Sequence, residues 1–164
     1  MIKLTDYIAR YINKFPVNCV FGVQGGAVVH IFDSFHRTTD LPVCYTHHEQ
    51  AAALAAVANA KAHNTIGVCV VTTGPAASNA LTGLLAAWQD STPVIFISGQ
   101  TRIEQTSYNL EVRQRGSQEC NILDVVSPWV KDSYFVSEPQ MIVSTLEKAI
   151  KECSTGRKGP VWID

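Results

Sequence analysis

The sequence predicts an α/β fold: a doubly wound, six-stranded parallel sheet with helices on both faces. Short apolar, β-branched runs alternate along the chain with segments whose apolar residues recur at helical spacing. The apolar runs lack the polar–apolar alternation of a half-exposed strand, so we expect both sides of them to be covered, as in parallel sheets. Alternation of strands and helices is typical of a parallel sheet between two helical layers.

The strands are predicted from six apolar runs. These are Val17–Val23, Pro42–Tyr45, Ile66–Thr72, Val94–Ser98, Lys131–Val136 and Val161–Ile163. We expect a loop over Tyr108–Cys120, because this segment is polar, is rich in arginine and glutamine, and breaks the alternation. Loops on such a scaffold often carry function.

Helical segments are predicted between these strands. In the first, Leu4, Ile8 and Ile12 lie four residues apart and form one apolar stripe. Five more are predicted around Val28–Phe35, over Ala51–Ala62, from Pro75 through Trp88, over Ile122–Val126 and from Pro139 to Cys153. The third of the six is alanine-rich and has the highest helix propensity, and a proline suits the first position of the fourth.

The composition fits one domain that spans residues 1–164. Hydrophobic residues make up 46% of the chain, and the net charge of -1 gives no basic excess for binding nucleic acid. No apolar stretch reaches the ~20 residues that span a membrane, and the N-terminus lacks the apolar core of a signal peptide. We therefore expect a cytoplasmic protein. The five cysteines have no metal-ligand spacing and are expected to be reduced.

Paired glycines follow the first predicted strand, at the edge of the sheet where open α/β folds bind ligands. Gly25 and Gly26 would let the backbone approach a ligand or a partner chain and adopt a positive φ angle. A plain strand-to-helix turn is the simpler explanation for the pair taken alone. Their spacing is not that of the dinucleotide-binding fingerprint.

Glu49 follows the second predicted strand, near the start of the alanine-rich helix, where the helix dipole favours a negative charge. An ordinary first-turn glutamate is the alternative interpretation. The preceding residues His47 and His48 are neighbours that cannot easily share one metal ion, and no HExxH spacing is present. We therefore expect no metal site here.

A third candidate segment follows the third predicted strand and contains Thr73, Gly74, Pro75 and Asn79. A glycine, hydroxyl groups and a helix start can form a cradle for an anion or a polar ligand. A well-capped helix start is the alternative. The segment lacks the lysine of a P-loop, which argues against a nucleotide-binding protein.

Several short motifs occur in a fixed order along the whole chain. They are Val20-Phe21-Gly22 with Gly25-Gly26, His48-Glu49-Gln50, Thr73-Gly74-Pro75 with Ser78-Asn79, Asp90-Ser91-Thr92-Pro93-Val94, Ser98-Gly99-Gln100, Gln118-Glu119 and Gly156-Arg157-Lys158-Gly159-Pro160-Val161. With this order and spacing, the sequence resembles the N-terminal, pyrimidine-binding domain of thiamine-diphosphate enzymes of the acetolactate synthase type. The resemblance is specific for the superfamily rather than for one reaction within it.

The resemblance implies that Glu49 is the catalytic carboxylate. In that family the glutamate hydrogen-bonds N1′ of the aminopyrimidine ring and so activates thiamine diphosphate, which decarboxylates a 2-keto acid such as pyruvate. The product then joins an acceptor carbonyl. The resemblance further implies substrate-side placement of Gln118 and cofactor-binding roles for the following residues: Gly25, Gly26, Thr73, Gly74, Pro75 and Asn79. His48 matches no catalytic position and is expected to orient its loop.

The resemblance also implies a partner domain. The family binds the diphosphate and Mg²⁺ in a separate C-terminal domain through a Gly-Asp-Gly motif, which occurs nowhere in these 164 residues. We therefore expect the N-terminal part of a longer enzyme, inactive by itself, which forms a homo-oligomer of at least two subunits. Whether the full-length protein binds FAD stays open.

Some residues depart from the acetolactate synthase pattern. Ser117 precedes Gln118 where that family usually has phenylalanine, and Gln24 precedes the paired glycines where it often has proline. The stretch Arg113–Gln118 looks more like relatives from sugar pathways. A different thiamine-diphosphate decarboxylase and a sugar-modifying carboligase therefore stay open. So does a non-catalytic dimerisation or assembly module, although a retained Glu49 argues against it.

Overall fold

The computed structural model describes residues 2–108 and 110–164, in which six strands alternate with seven α-helices. The strands are β1 (Val20–Gly22), β2 (Val43–Tyr45), β3 (Gly67–Val71), β4 (Val94–Ser98), β5 (Ser133–Tyr134) and β6 (Val161–Ile163). The helices are α1 (Leu4–Ile12), α2 (Val29–Thr38), α3 (Glu49–His63), α4 (Pro75–Asn79), α5 (Leu81–Gln89), α6 (Ile122–Val126) and α7 (Ile142–Ser154).

All six strands form one parallel sheet in the order β2-β1-β3-β4-β6-β5. The chain first builds outward from β1 to β2 and then returns to place β3 on the other side of β1. Open α/β sheets bind ligands at such a reversal, outside the carboxyl ends of the strands. The reversal therefore marks the edge between β1 and β3 as the place for a site.

Helices cover both faces of the sheet, because successive side chains of a strand point to opposite sides. On β3, which is buried throughout, Val68 and Val70 belong to the core beneath α1, α2 and α7. The intervening Cys69 and Val71 belong to the second core, beneath α3 and α5. The predicted fold class is confirmed, including its two helical layers.

Each predicted strand is present, although most are shorter than the apolar runs that predicted them. The edge strand β5 has only two residues, but its pairing with β6 continues on both sides. The backbone N–H of Lys131 donates to Pro160 at 2.8 Å, and that of Val136 donates to Asp164 at 2.8 Å. The backbone bonds therefore extend over the whole predicted run.

One predicted helix is divided. The segment from Pro75 through Trp88 forms α4 and α5, which meet at Ala80. The backbone N–H of Ala80 donates to Ala77, three residues earlier, at 3.1 Å, so the turn tightens there. Its side chain and those of its neighbours Ala77 and Leu84 still pack in the second core. Apolar spacing continues through the break and therefore conceals it.

The predicted loop over Tyr108–Cys120 contains no helix or strand among its described residues; Asn109 lies outside them. None of the helices in the described part of the chain is long and apolar enough to cross a membrane.

Candidate functional site

Glu49 is the first residue of α3, at the carboxyl edge of the sheet next to the end of β2. The helix begins there because His48 caps it: the Nδ1 atom of His48 accepts a hydrogen bond from the backbone N–H of Gln50 at 3.1 Å. The hydroxyl of Thr46 donates to the carbonyl of His48 at 2.8 Å. These two hydrogen bonds fix the turn between β2 and α3 that leads into Glu49.

The carboxylate of Glu49 contacts a second predicted site residue. Asn79, the last residue of α4, donates from its side-chain Nδ2 to Oε2 of Glu49 at 2.9 Å. The residues are 30 positions apart in the sequence. Burial raises the pKa of the Cys69 thiol on β3, and the negative charge of Glu49 raises it further. The half-buried Glu49 side chain therefore joins the start of α3 to the end of α4.

Three other predicted residues meet beside the end of β3. Gly74 has a φ angle of +63°, and a Cβ atom there would lie 2.0 Å from the carbonyl oxygen of Gln118. Gln118 itself has a φ angle of +58°, in a region that non-glycine residues rarely occupy. With Pro75, these residues line a cavity of about 460 Å³ at the surface.

The two paired glycines differ in the space that surrounds them. A Cβ atom on Gly25 would lie 2.5 Å from the side chain of Thr72, so the β1 loop approaches the end of β3 closely. Gly26 is exposed, and a Cβ atom there would meet no other atom within 4 Å. Neither has a positive φ angle, so that expectation was wrong; the close approach of Gly25 is what excludes a side chain.

Gln24 is tied to the neighbouring strand. Its Nε2 donates to the hydroxyl of Tyr45 at 2.9 Å, and Nε2 of His36 lies 2.8 Å from the same hydroxyl. Burial raises the pKa of Tyr45, and the hydrogen bond from Gln24 opposes that shift. The residue that departs from the family pattern therefore anchors the glycine loop through a polar contact.

A buried network behind the site involves residues for which the sequence predicted no role. Gln100 accepts a hydrogen bond from the Thr73 hydroxyl at 2.9 Å and donates to the carbonyl of Cys120 at 2.9 Å and to Asp164 at 3.0 Å. The carboxylate of Asp164 also accepts from Ser98 at 2.5 Å. Burial raises the pKa of Asp164 to about 6, although both hydrogen bonds lower it.

Glu119 fixes the loop that carries Gln118. Its buried carboxylate accepts hydrogen bonds from the backbone N–H and hydroxyl of Ser107 at 2.9 and 2.6 Å, and from the backbone N–H of Arg115 at 2.9 Å. Burial disfavours the charged form, but these three hydrogen bonds outweigh it and lower the pKa. The Gln118-Glu119 motif therefore combines a substrate-side candidate with the residue that holds its loop.

Comparison with known proteins identifies the family of this domain. The sequence matches the family model described as "Thiamine pyrophosphate enzyme, N-terminal TPP binding domain" over residues 2–125. This chain belongs to that family.

Relatives of this thiamine pyrophosphate domain are acetolactate synthase subunits. The acetolactate synthase large subunit of Haemophilus influenzae is 42% identical over 159 residues, covering 97% of this chain and 27% of the relative. The isozyme 3 large subunit of Escherichia coli is 35% identical over 164 residues, covering 100% and 28%. The probable large subunit of Methanocaldococcus jannaschii is 36% identical over 163 residues, covering 99% and 26%. The chain thus spans about a quarter of the length of these curated relatives.

The site fits one end of the cofactor that names the family. Glu49 offers an acceptor carboxylate whose Oε2 is oriented by Asn79, and an acceptor suits a ring nitrogen that carries or shares a proton. The diphosphate end would need cations or a bound metal ion. Across residues 2–108 and 110–164, no group of three or more His, Cys, Asp or Glu side chains could hold a metal. The acceptor carboxylate of Glu49 thus has the chemistry that a ring nitrogen requires.

Proposed function

We propose that this domain holds the aminopyrimidine ring of thiamine diphosphate and that Glu49 is the catalytic carboxylate. One observation carries the proposal: Glu49 begins α3 at the carboxyl edge of the sheet, with its carboxylate held by Asn79 at 2.9 Å. Bound thiamine diphosphate supplies the electron sink for decarboxylation of a 2-keto acid. The domain supplies position and a proton-sharing acceptor.

Glu49 acts by sharing a proton at the ring nitrogen. A carboxylate in a partly desolvated pocket forms a stronger hydrogen bond than one in water. The surroundings of Glu49 support this role, because Ala52, Ala53 and Cys69 beside it are buried in the second core. The amide of Asn79 binds one carboxylate oxygen and leaves the other outside that hydrogen bond, which suits a contact with the ring nitrogen.

The remaining predicted residues shape the walls of the site. Gly25 lets the β1 loop approach β3, and Gly26 leaves open space at the edge, where a ligand or a partner chain can approach. Thr73 ties the end of β3 to Gln100, while Gly74 and Pro75 adjoin Gln118 at the surface cavity. We propose that Gln118 lies on the substrate side of that cavity.

A second domain completes the site. The relatives are about four times as long as this chain, and the chain contains no Gly-Asp-Gly motif. We propose that residues 1–164 form the N-terminal domain of a longer cytoplasmic enzyme. Its diphosphate-binding domain would hold Mg²⁺, and the working form would be at least a homodimer. The isolated domain would then be inactive.

Turnover of the full-length protein tests the reaction. With pyruvate as the sole substrate, we expect carbon dioxide release that requires both thiamine diphosphate and Mg²⁺, with acetolactate as the product. Release that is unchanged after both cofactors are removed would contradict the proposal. Absence of any reaction with pyruvate or other 2-keto acids, despite measured cofactor binding, would favour the non-catalytic assembly module.

A different acceptor is the second candidate, and the Gln118 loop favours it. Ser117 stands where acetolactate synthases usually have phenylalanine, and Gln114 lines the same surface cavity as Gln118. A polar wall suits a hydroxylated acceptor, because each hydroxyl needs a hydrogen-bond partner when it is buried. Keto sugars offered together with pyruvate would then give a mixed product in preference to acetolactate.

A further inference from the structure

A cavity of about 290 Å³ lies at the amino ends of the strands, whereas Glu49 lies at their carboxyl ends. It is lined by the end of α5 and by the segments that lead into β5 and β6, through residues Trp88, Gln89, Lys131, Arg157 and Lys158. Its walls therefore contain three cationic side chains and an indole ring, and no carboxylate. Two acidic residues adjoin the lining in sequence: Asp90 is paired with Lys61 at 2.7 Å, and Asp132 accepts a hydrogen bond from the backbone N–H of Ser133 at 2.8 Å.

One of the three cationic side chains, that of Lys131, stabilises the fold. The ammonium group of Lys131 donates to the carbonyls of Glu152 and Thr155 at the end of α7, and the bond to Thr155 is 2.8 Å long. Its aliphatic stem lies beneath the turn at Gly159. Lys131 therefore forms a fixed wall, and its charge is balanced by the carbonyl end of a helix.

The other two cations are available to a ligand. Nε of Arg157 donates to the hydroxyl of Ser91 at 2.8 Å, which fixes the guanidinium group and leaves its remaining N–H donors free of that contact. Lys158 is exposed, and neither residue belongs to an ion pair within the described part of the chain. An oriented arginine beside a lysine is a typical arrangement for binding phosphate or carboxylate.

The indole of Trp88 supplies an apolar surface beside these charges. The residue is 38% exposed, unlike Trp162, which is fully buried in the core. An exposed aromatic ring next to two cations suits a ligand with a planar ring at one end and a negative charge at the other. The volume of the cavity suits a small molecule.

We propose that this cavity binds an aromatic organic anion of the size of a mononucleotide. The anionic group of this ligand, which is a phosphate in a mononucleotide, contacts Arg157 and Lys158. The aromatic ring packs on Trp88. The site lies at the amino ends of β4, β5 and β6, so it is separate from the proposed thiamine-diphosphate site at the carboxyl edge. Binding there does not depend on Glu49.

Calorimetry on the full-length protein tests the proposal with AMP as the probe. Saturating thiamine diphosphate and Mg²⁺ are present, so that AMP cannot report on the cofactor site. We expect AMP to bind, and we expect Arg157→Gln and Lys158→Gln each to weaken it by about tenfold, the cost of losing a charged hydrogen bond. Lys148→Gln, an exposed lysine on α7 away from the cavity, is the matched control and keeps wild-type affinity.

Two simpler ligands separate the two halves of the proposed ligand. Adenosine lacks the phosphate and ribose 5-phosphate lacks the ring, so we expect both to bind more weakly than AMP. The proposal is overturned if AMP does not bind, if either cavity variant binds like Lys148→Gln, or if either simpler ligand binds as tightly as AMP. Unchanged thermal unfolding of the variants shows that a lost affinity is not a lost fold.

Discussion

The contact between Glu49 and Asn79 joins two elements that are far apart in the sequence. Asn79 ends the short helix α4, and Glu49 begins α3. A neutral amide donor holds a carboxylate in place without a counter-charge, so the carboxylate can still exchange a proton with a ligand. We therefore infer that Asn79 is a positioning residue for Glu49.

Substitution of Asn79 should reveal that role in the pH profile. In the full-length enzyme, Asn79→Asp places a second carboxylate against Glu49, and like charges raise the pKa of a carboxyl group. We expect the acid limb of kcat/KM to move to higher pH in Asn79→Asp and, by less, in Asn79→Ala, which loses the donor that favours the charged carboxylate. Asn18→Asp, an exposed site outside the predicted cofactor-binding residues, is the control. Identical profiles for the two Asp variants would rule out the positioning role.

Asp164 makes the stability of the folded domain depend on pH. Its pKa rises from 3.8 to about 6, chiefly through burial. The folded state therefore binds more protons than the unfolded state between these values, and this residue lowers stability as the pH rises through that window. The loss is on the order of 3 kcal/mol, because one pKa unit corresponds to 1.36 kcal/mol.

Urea unfolding of the 164-residue chain between pH 4 and pH 7 measures this effect. Asparagine at position 164 can accept from Gln100 and donate to Ser98, which already accepts from Trp162. Asp164→Asn therefore removes the titrating group at a pH-independent cost, the loss of the acceptor for the Ser98 hydroxyl. We expect the variant to gain unfolding free energy relative to wild type as the pH rises. Asp40→Asn, at an exposed position, should follow wild type. A constant difference between Asp164→Asn and wild type would contradict the assignment.

At the scale of elements, the loop after β4 depends on a single buried carboxylate. Glu119 binds Ser107 at one end of the loop and Arg115 near the other, so it closes the segment that carries Gln118. The lowered pKa keeps this group ionised at neutral pH. Its charged hydrogen bonds are the strong kind, each worth roughly 1.5–3 kcal/mol.

Limited trypsin digestion tests this closure. The loop contains Arg113 and Arg115, both exposed, and cleavage requires local opening of the chain. We expect Glu119→Gln to accelerate cleavage in the loop by about tenfold or more, since a neutral amide accepts weaker hydrogen bonds. Glu111→Gln changes an exposed glutamate of the same loop and should cleave at the wild-type rate. Equal rates for the two variants would show that Glu119 does not close the loop.

The elements also show which features of the fold a sequence reveals. Apolar spacing predicted all six strands, since burial on both faces produces runs that are easy to recognise. It did not predict the break at Ala80, because core-facing alanines continue through it. Nor did it assign a role to Gln100 or Asp164: the network depends on pairs 64 to 66 residues apart, which only strand order brings together.

For the site, too, some features could be predicted from the sequence and others depend on tertiary contacts. A strand end followed by a helix start placed Glu49, Thr73 and Gly74 at one edge of the sheet, as the structure shows. The pairing of Glu49 with Asn79 could not be predicted, because it depends on the angle between α3 and α4. The reason that Gly25 must be glycine also lies in a tertiary contact, with Thr72.

At the scale of the whole molecule, the two edges of the sheet have different chemistry. The carboxyl edge presents an acceptor carboxylate and glycine-lined approaches, whereas the amino edge presents two available cations beside an indole. The chain covers about a quarter of its acetolactate synthase relatives. We therefore propose that this domain contributes one half of a thiamine-diphosphate site, with Glu49 as its activating group.

Proton–deuterium exchange at C2 of thiamine diphosphate bound to the full-length protein tests that claim most directly, since it reports cofactor activation without any substrate. We predict that Glu49→Gln slows the exchange by roughly 100-fold or more, as expected when a proton-transfer partner is lost. Glu147→Gln, which changes an exposed glutamate on α7, should exchange at the wild-type rate. Near-normal exchange in Glu49→Gln, with the cofactor shown to be bound, would contradict the account.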